Sequence, residues 1–368
     1  MIKELHPNFT PVQMANYYGF PTTYTGKGQK IAVISLGGKP NLPEIKKDFI
    51  DLEITPPKLN LVDIDSESIS LAQDFGSTLE THLDVEIIGS ICPDAEITIY
   101  RGLNATGFAA AIEKAIEDKN NVISISWGYS EYEGIESSDV EKALLKAKKH
   151  NITVCVATGD GGSGNTRSAQ GTALPSKSGK AQVSYPASSP FVLACGGTEL
   201  LENDGEKYEV VWNNSPIGGG ATGGGVSEYF DLPEWQKDFA NITSVNSGKT
   251  GRIIPDVAGL AASGDYSIFN QDQKYAAGGT SGVAPLWASL ITLVNEARAN
   301  NKKKPIGFVN DYLYHAAKNK TIFTPITKGN NKPEAAFPGY EASSAYNACC
   351  GLGSPIGSEI FAFLNVIN

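Results

Sequence analysis

The sequence predicts an α/β protein built on a mostly parallel sheet with helices packed on both of its faces. Three observations carry this. From about residue 29 to 200, short apolar runs alternate with helix-patterned segments and no linker interrupts them. The runs NVISISW and ITVCVAT are continuous rather than alternating, as expected of strands buried on both sides. Glycine supplies 39 of the 368 residues, and glycine turns close several runs.

Taken in order, residues 1–28 read as irregular and turn-rich, with Pro7, Pro11, Pro21 and Gly26. QKIAVISLGG is a strand ending in a glycine turn, PEIKKDFIDLE a helix and LNLVDID a second strand. In TLETHLDVEIIGSI, Leu79, Leu83, Ile87 and Ile91 recur every four residues, which predicts an amphipathic helix. AEITIY, NVISISW and ITVCVAT are strands, and FAAAIEKAIED and VEKALLKAKKH are the helices between them. TELLENDGEKYEVVWN reads as a hairpin turning at Asn203-Asp204-Gly205. TSGVAPLWASLITLVNEARAN is a long buried helix, and GSEIFAFLNVI closes the chain.

Charge excludes some functions. Thirty Lys+Arg against forty Asp+Glu give a net charge of −10, so no basic excess exists to neutralise nucleic-acid phosphates or to hold an anionic membrane surface. No run approaches the ~20 apolar residues that span a bilayer. MIKELHPNFTP has no apolar leader core, so no signal peptide is expected in this chain, and the compartment stays open. Cys155 and Cys195 fall in buried strands, and the spacing of the five cysteines gives no zinc signature. Cys349 and Cys350 are read as free thiols, with a strained vicinal disulfide as the alternative.

The weak motifs fall first. Gly218, Gly220 and Gly223 fit a dinucleotide spacing, but neither the preceding strand nor the following helix is present. A stronger signal is Gly278-Gly279-Thr280-Ser281-Gly282, which opens the long apolar helix. Ser281 there would be exposed by its glycines, at a helix terminus that favours developing negative charge. Either Thr280 or Ser281 could equally be a simple N-cap. A serine nucleophile needs a base. His6, His82, His150 and His315 are the only histidines, and none has a catalytic setting. Glu80 and Asp84 lie at i and i+4, so their carboxyls share one helix face and can share one proton. They are either a general base with its partner or two solvated acids; His82, between them in sequence, points away. Asp160, in ATGDGG after a strand, stands where open parallel sheets bind ligands. It is either turn chemistry or an acid that donates a hydrogen bond to an oxyanion.

These residues resemble a family. ETHLD, SWG, ATGDGG, PDV and GGTSGVAPLWA are similar to motifs of the sedolisins, the serine-carboxyl peptidases, most of all their kumamolisin-like members. NFTPVQMANYYGFP, YPASSPFVLACGGT, ATGGGVSEYF and GLGSPIG extend the likeness over nearly the whole chain. The resemblance implies a subtilisin-like fold and one catalytic domain over residues 1–368. It implies an endopeptidase in which Ser281 attacks the scissile carbonyl, Glu80 takes its proton and Asp84 tunes Glu80. Asp160, protonated, would stabilise the oxyanion with the Ser281 backbone N–H, so activity should peak below about pH 5 and fade as pH rises. Ser126, Trp127 and Gly128 resemble the edge that pairs with substrate backbone, Trp127 being a core residue in the alternative. Gly159, Gly279 and Thr280 are expected to line the substrate site beside them.

Three departures stand out. The family's calcium site maps onto Pro325, Ile326, Ser343, Ala345 and Asn347, where both carboxylates are missing, so no tight calcium and no other cofactor are expected. Ser35 replaces a glutamate that extends the acid network in many kumamolisin-like members. The family is made with an N-terminal prodomain, a partner absent from this chain. Peptides or proteins are the expected substrates, and monomer is the default state. Two other readings were weighed: an inactive member serving as a binding module, and a glycosidase using Glu80 and Asp84. The glycosidase is disfavoured, because its paired acids flank the scissile bond from opposite sides.

Overall fold

A computed structural model describes residues 2–64, 75–270, 273–343 and 346–367. Its main sheet is built from β1 (Ile2–Leu5), β2 (Lys30–Leu36), β3 (Lys58–Asp63), β4 (Glu96–Gly102), β5 (Val122–Ile125), β6 (Thr153–Ala157), β7 (Leu193–Asn203), β8 (Glu206–Val211) and β9 (Val257–Leu260). The order is β1-β7-β6-β5-β2-β4-β3, with β8 and β9 also paired to β7. Every pairing from β7 to β3 is parallel, as is β7 with β9, while β1 and β8 run antiparallel to β7. β2 lies inside the sheet. The chain places β3 and β4 on one side of it and β5, β6 and β7 on the other. This reversal opens a crevice beyond the carboxyl ends of β2, β5 and β6.

The helices are α1 (Pro11–Tyr17), α2 (Leu42–Asp51), α3 (Phe75–Ile91), α4 (Asn104–Glu117), α5 (Asp139–Lys149), α6 (Thr280–Asn300), α7 (Asn310–Ala317) and α8 (Gly357–Val366). They explain the continuous apolar strands. Ile31 and Val33 join a core with Leu83, Ile87 and Trp287 of α3 and α6. The intervening Ala32 and Ile34 join a second core with Ile112 and Leu144 of α4 and α5. Both faces of β2 are therefore dry.

The chain departs from the sequence reading in two places. Residues 1–28 are not irregular throughout. Ile2–Leu5 adds to the sheet edge along Leu200–Asn203, and Thr10 and Gln13 form a reciprocal capping box that starts α1, with Pro11 in its first turn. The prolines had obscured this start. Helix α3 is not amphipathic over its second half: residues 81–91 are all buried. It is covered by the sheet, α1, α2 and α6 together, so no side of that half faces water. The hairpin turn occurs as expected, with Asp204 and Gly205 at φ 53° and 87°. All five cysteines are free and buried.

Candidate active site

Each sequence-derived residue reaches the crevice by a local rule. Ser126 follows the carboxyl end of β5, and Asp160 follows that of β6. Glu80 and Asp84 come from the middle of α3, and Ser281 is the second residue of α6. Gly279 is the N-cap and makes no side-chain cap, so neither Thr280 nor Ser281 is the capping residue. Glu80, Ser126, Trp127, Asp160, Thr280 and Ser281 line one cleft of about 310 Å³, together with Gly128 and Gly159. No histidine lines it among the described residues.

Proline fixes the serine's surroundings. Pro285 lies inside α6 and has no N–H, so it cannot bond the carbonyl four residues back, that of Ser281. The Ser126 hydroxyl occupies that position: it approaches the Ser281 carbonyl at 3.3 Å and donates to Asp84 Oδ1 at 2.7 Å. One side chain thus ties the strand end to both the nucleophile's backbone and the buried acid.

The acid pair is shielded from water. Asp84 is wholly buried and Glu80 partly so. Burial raises the Glu80 carboxyl to about 7; a hydrogen bond with the Ser281 side chain, the Arg167 cation and Ser126 pull it down, while Asp160 pushes it up. Asp84 is pushed well above the ordinary carboxylate range, first by burial and then by the charge of Glu80. Glu80 Oε1 and Asp84 Oδ2 have no hydrogen-bond partner among the described residues. His82 points into the core instead, its Nδ1 3.2 Å from Asp48 Oδ2.

Asp160 is held from the start of α6. Its Oδ1 accepts from the Thr280 N–H at 2.8 Å and the Thr280 hydroxyl at 2.9 Å, and Thr280 Oγ1 accepts in turn from the Gly159 N–H at 3.0 Å. Thr280 is fully buried, so its side chain positions Asp160. A Cβ on Gly279 (φ +99°) would stand 2.7 Å from Asp160 Oδ2; glycine is required both by that conformation and by the carboxylate's approach. A Cβ on Gly128 would stand 2.6 Å from Ser184 Oγ. Trp127 is partly buried, and its Nε1 has no partner among the described residues.

Ser35 closes the place of the missing glutamate. Its hydroxyl lies 2.8 Å from Thr81 Oγ1, next to Glu80 on α3. At the calcium positions, Asn347 donates its amide to the Ile326 carbonyl at 2.8 Å and accepts from the Cys349 and Cys350 N–H groups. A side-chain donor thus takes the carbonyl that a cation would need, and Pro325 adds no ligand atom from its side chain. These residues do not fit a calcium ion. Ser343 is exposed, and Ala345 lies outside the described residues.

Arg167 was missed by sequence reasoning. Its Nη1 donates to Asp160 Oδ2 at 2.9 Å. It follows Asp160 by seven residues in a polar glycine loop, and nothing in that spacing marks it. A larger hollow of about 690 Å³ beside Tyr17 and Ser354 offers no comparable base. Its buried acid, Glu209, is already satisfied by Tyr17, Tyr18, Thr198 and Ser354.

Residues 76–340 match the model of the subtilase family, Peptidase S8. The chain belongs to the subtilase family. Within this family it is a kumamolisin-like sedolisin. It is 37% identical to kumamolisin from Bacillus sp. (strain MN-32) over 97% of its own length and 63% of that protein's. It is 26% identical to sedolisin from Pseudomonas sp. (strain 101), over 96% and 61% respectively. The structure of Pseudomonas sedolisin complexed with two molecules of pseudo-iodotyrostatin superposes with a TM-score of 0.80 at 25% identity, covering 97% of this chain and 98% of that one. The subtilisin-like α/β fold is therefore established. The chain spans less than two-thirds of the full length of these two curated relatives.

Proposed function

We propose that this sedolisin is an acid-acting serine endopeptidase. Ser281 is the nucleophile, Glu80 its general base and Asp84 the acid that holds the pair's second proton. The observation that carries the reading is that Ser281 and Glu80 line one cleft, where the serine side chain stabilises the Glu80 carboxylate, and that the described lining has no histidine. Glu80 takes the hydroxyl proton as Ser281 attacks the scissile carbonyl, and then returns it to the leaving amine. Burial raises both carboxyls of the pair, and the charge of Glu80 raises Asp84 further. Ser281 lies in the first turn of α6, where backbone N–H groups lack helical partners and can meet an oxyanion. Asp160 complements it from Oδ2, which Arg167 also reaches, because both Thr280 donors engage Oδ1. For this, Asp160 must carry a proton.

Two opposite requirements set the pH dependence. Glu80 acts ionised and Asp160 acts protonated. Activity should therefore fall on the acid side as Glu80 takes up its proton, and on the alkaline side as the acid-assisted oxyanion contact is lost. With Glu80 raised to about 7, a bell-shaped profile with its maximum at roughly pH 4–6 is expected. Cleavage of quenched peptides across pH 3–9 checks this, and a peptide aldehyde should trap Ser281 covalently. A maximum above pH 8, or an aldehyde adduct elsewhere, would overturn the assignment.

We also propose that the fold works without resident calcium, because Asn347 bridges where the ion would bind. Exhaustive chelation should leave the melting temperature and kcat/KM unchanged. A loss restored by added calcium would contradict this.

A further inference from the structure

The cleft is acidic except at one point. Glu80 and Asp160 line it, and among its described lining residues Arg167 alone is basic. The loop that carries Arg167 is firmly placed. Thr166 and Arg167 pair with Leu174 and Ala173, and a Cβ on Gly161 would stand 2.3 Å from the Thr166 nitrogen, so the backbone is closely packed. The guanidinium at the end of this support is half exposed, and its only hydrogen bond among the described residues runs from Nη1 to Asp160 Oδ2. Its remaining N–H groups are left for another acceptor. A half-exposed ion pair contributes little to stability, and Asp160 is already fixed by two Thr280 donors. Holding Asp160 therefore does not account for placing a cation here.

We propose that Arg167 is a specificity-determining residue that binds an acidic side chain of the peptide substrate next to the scissile bond. The inference rests on the peptidase reading given above. A guanidinium presents a planar fork of donors that matches a carboxylate. Beside Glu80 an acidic side chain would meet a carboxyl with no basic lining residue to offset it, whereas at Arg167 the guanidinium offers N–H groups that Asp160 does not use. The substrate carboxylate also competes with Asp160 for the same guanidinium. Its binding draws Nη1 from Oδ2, the oxygen that the proposed oxyanion contact uses. An acidic substrate residue thus helps to assemble the site that cleaves it.

Matched quenched peptides carrying Glu, Gln or cysteic acid at each of three positions on either side of the cleaved bond test this. Cysteic acid keeps its charge at acid pH. At one position the wild type should favour Glu and cysteic acid over Gln by about tenfold in kcat/KM. Arg167→Gln should remove the preference, Arg167→Lys should keep part of it, and Arg167→Glu should shift it toward Lys. An unchanged Glu/Gln ratio in both Arg167→Gln and Arg167→Glu would overturn the inference. The same peptides bound to Ser281→Ala, followed by fluorescence anisotropy, separate the two readings. Binding selectivity lost on adding Arg167→Gln, without cleavage by the wild type, would refute the peptidase reading and uphold Arg167. Cleavage without any acidic preference would refute Arg167 alone.

Discussion

Replacing Ser281 with Ala is expected to reduce kcat for peptide hydrolysis by roughly four to six orders of magnitude, while KM changes little. The hydroxyl is the only group in the proposed mechanism that bonds to substrate, and the alanine side chain has no oxygen. Glu80→Gln should cost nearly as much, because glutamine keeps the shape of the site but cannot accept the hydroxyl proton. The double variant should be scarcely slower than either single one, since the two groups act as one unit. Additive losses would mean that Glu80 is not the base. Asp84→Asn tests the neighbouring layer. It keeps an oxygen for the Ser126 hydroxyl but removes a titrating partner from Glu80. Its mark should be a displaced pH profile together with a lower rate. Pre-steady-state kinetics with a chromogenic ester and circular dichroism of each variant separate chemistry from misfolding.

The second large effect is on stability. The fold buries several acids whose proton affinity burial raises. Burial raises Glu141 to about 7 and Asp265 to about 8, and Glu86, Glu131, Glu199 and Glu209 are raised for the same first cause. An acid with a higher pKa folded than unfolded binds more protons in the native state. Its stabilisation is fully present below the unfolded value near ~4 and is lost as pH rises through the folded value. Glu141 alone accounts for about 3 kcal/mol lost by pH 8. The acids that shift downward, such as Glu96, Asp118 and Glu228, lie near the surface and oppose this weakly. The melting temperature should therefore be highest near pH 4–5 and fall by about 10 °C by pH 8. Calorimetry on Ser281→Ala avoids self-digestion. Glu141→Gln should flatten the slope, since an amide does not titrate; its single oxygen keeps one of the two donors, Tyr185 or Ser189, that bond separate carboxylate oxygens. A melting temperature that holds steady or rises between pH 4 and 8 would refute the argument.

How far the chain could be read in advance differs between its halves. β2, β5 and β6 were legible because a strand covered on both sides must be apolar throughout, and α6 because its long apolar run follows glycines. The start of α1 was not, because prolines that read as turns also open helices. The second half of α3 looked amphipathic, since a four-residue repeat shows where one core lies but not that a second layer covers the other side.

The sequence by itself determined the parallel α/β rhythm, and it singled out Glu80, Asp84, Asp160 and Ser281 as candidates and two calcium positions without carboxylates. The rhythm follows from residue type and local spacing; the four residues and the calcium positions came from the resemblance of short motifs, which the chain carries wherever it folds, to the sedolisins. Tertiary structure alone decided that Ser126 bridges Asp84 to the carbonyl freed by Pro285, that Thr280 faces Asp160, and that Arg167 enters the cleft. The first two join segments far apart along the chain, and even across the seven residues from Asp160 to Arg167 a hydrogen bond depends on ångström-scale separation in space, which sequence distance does not encode.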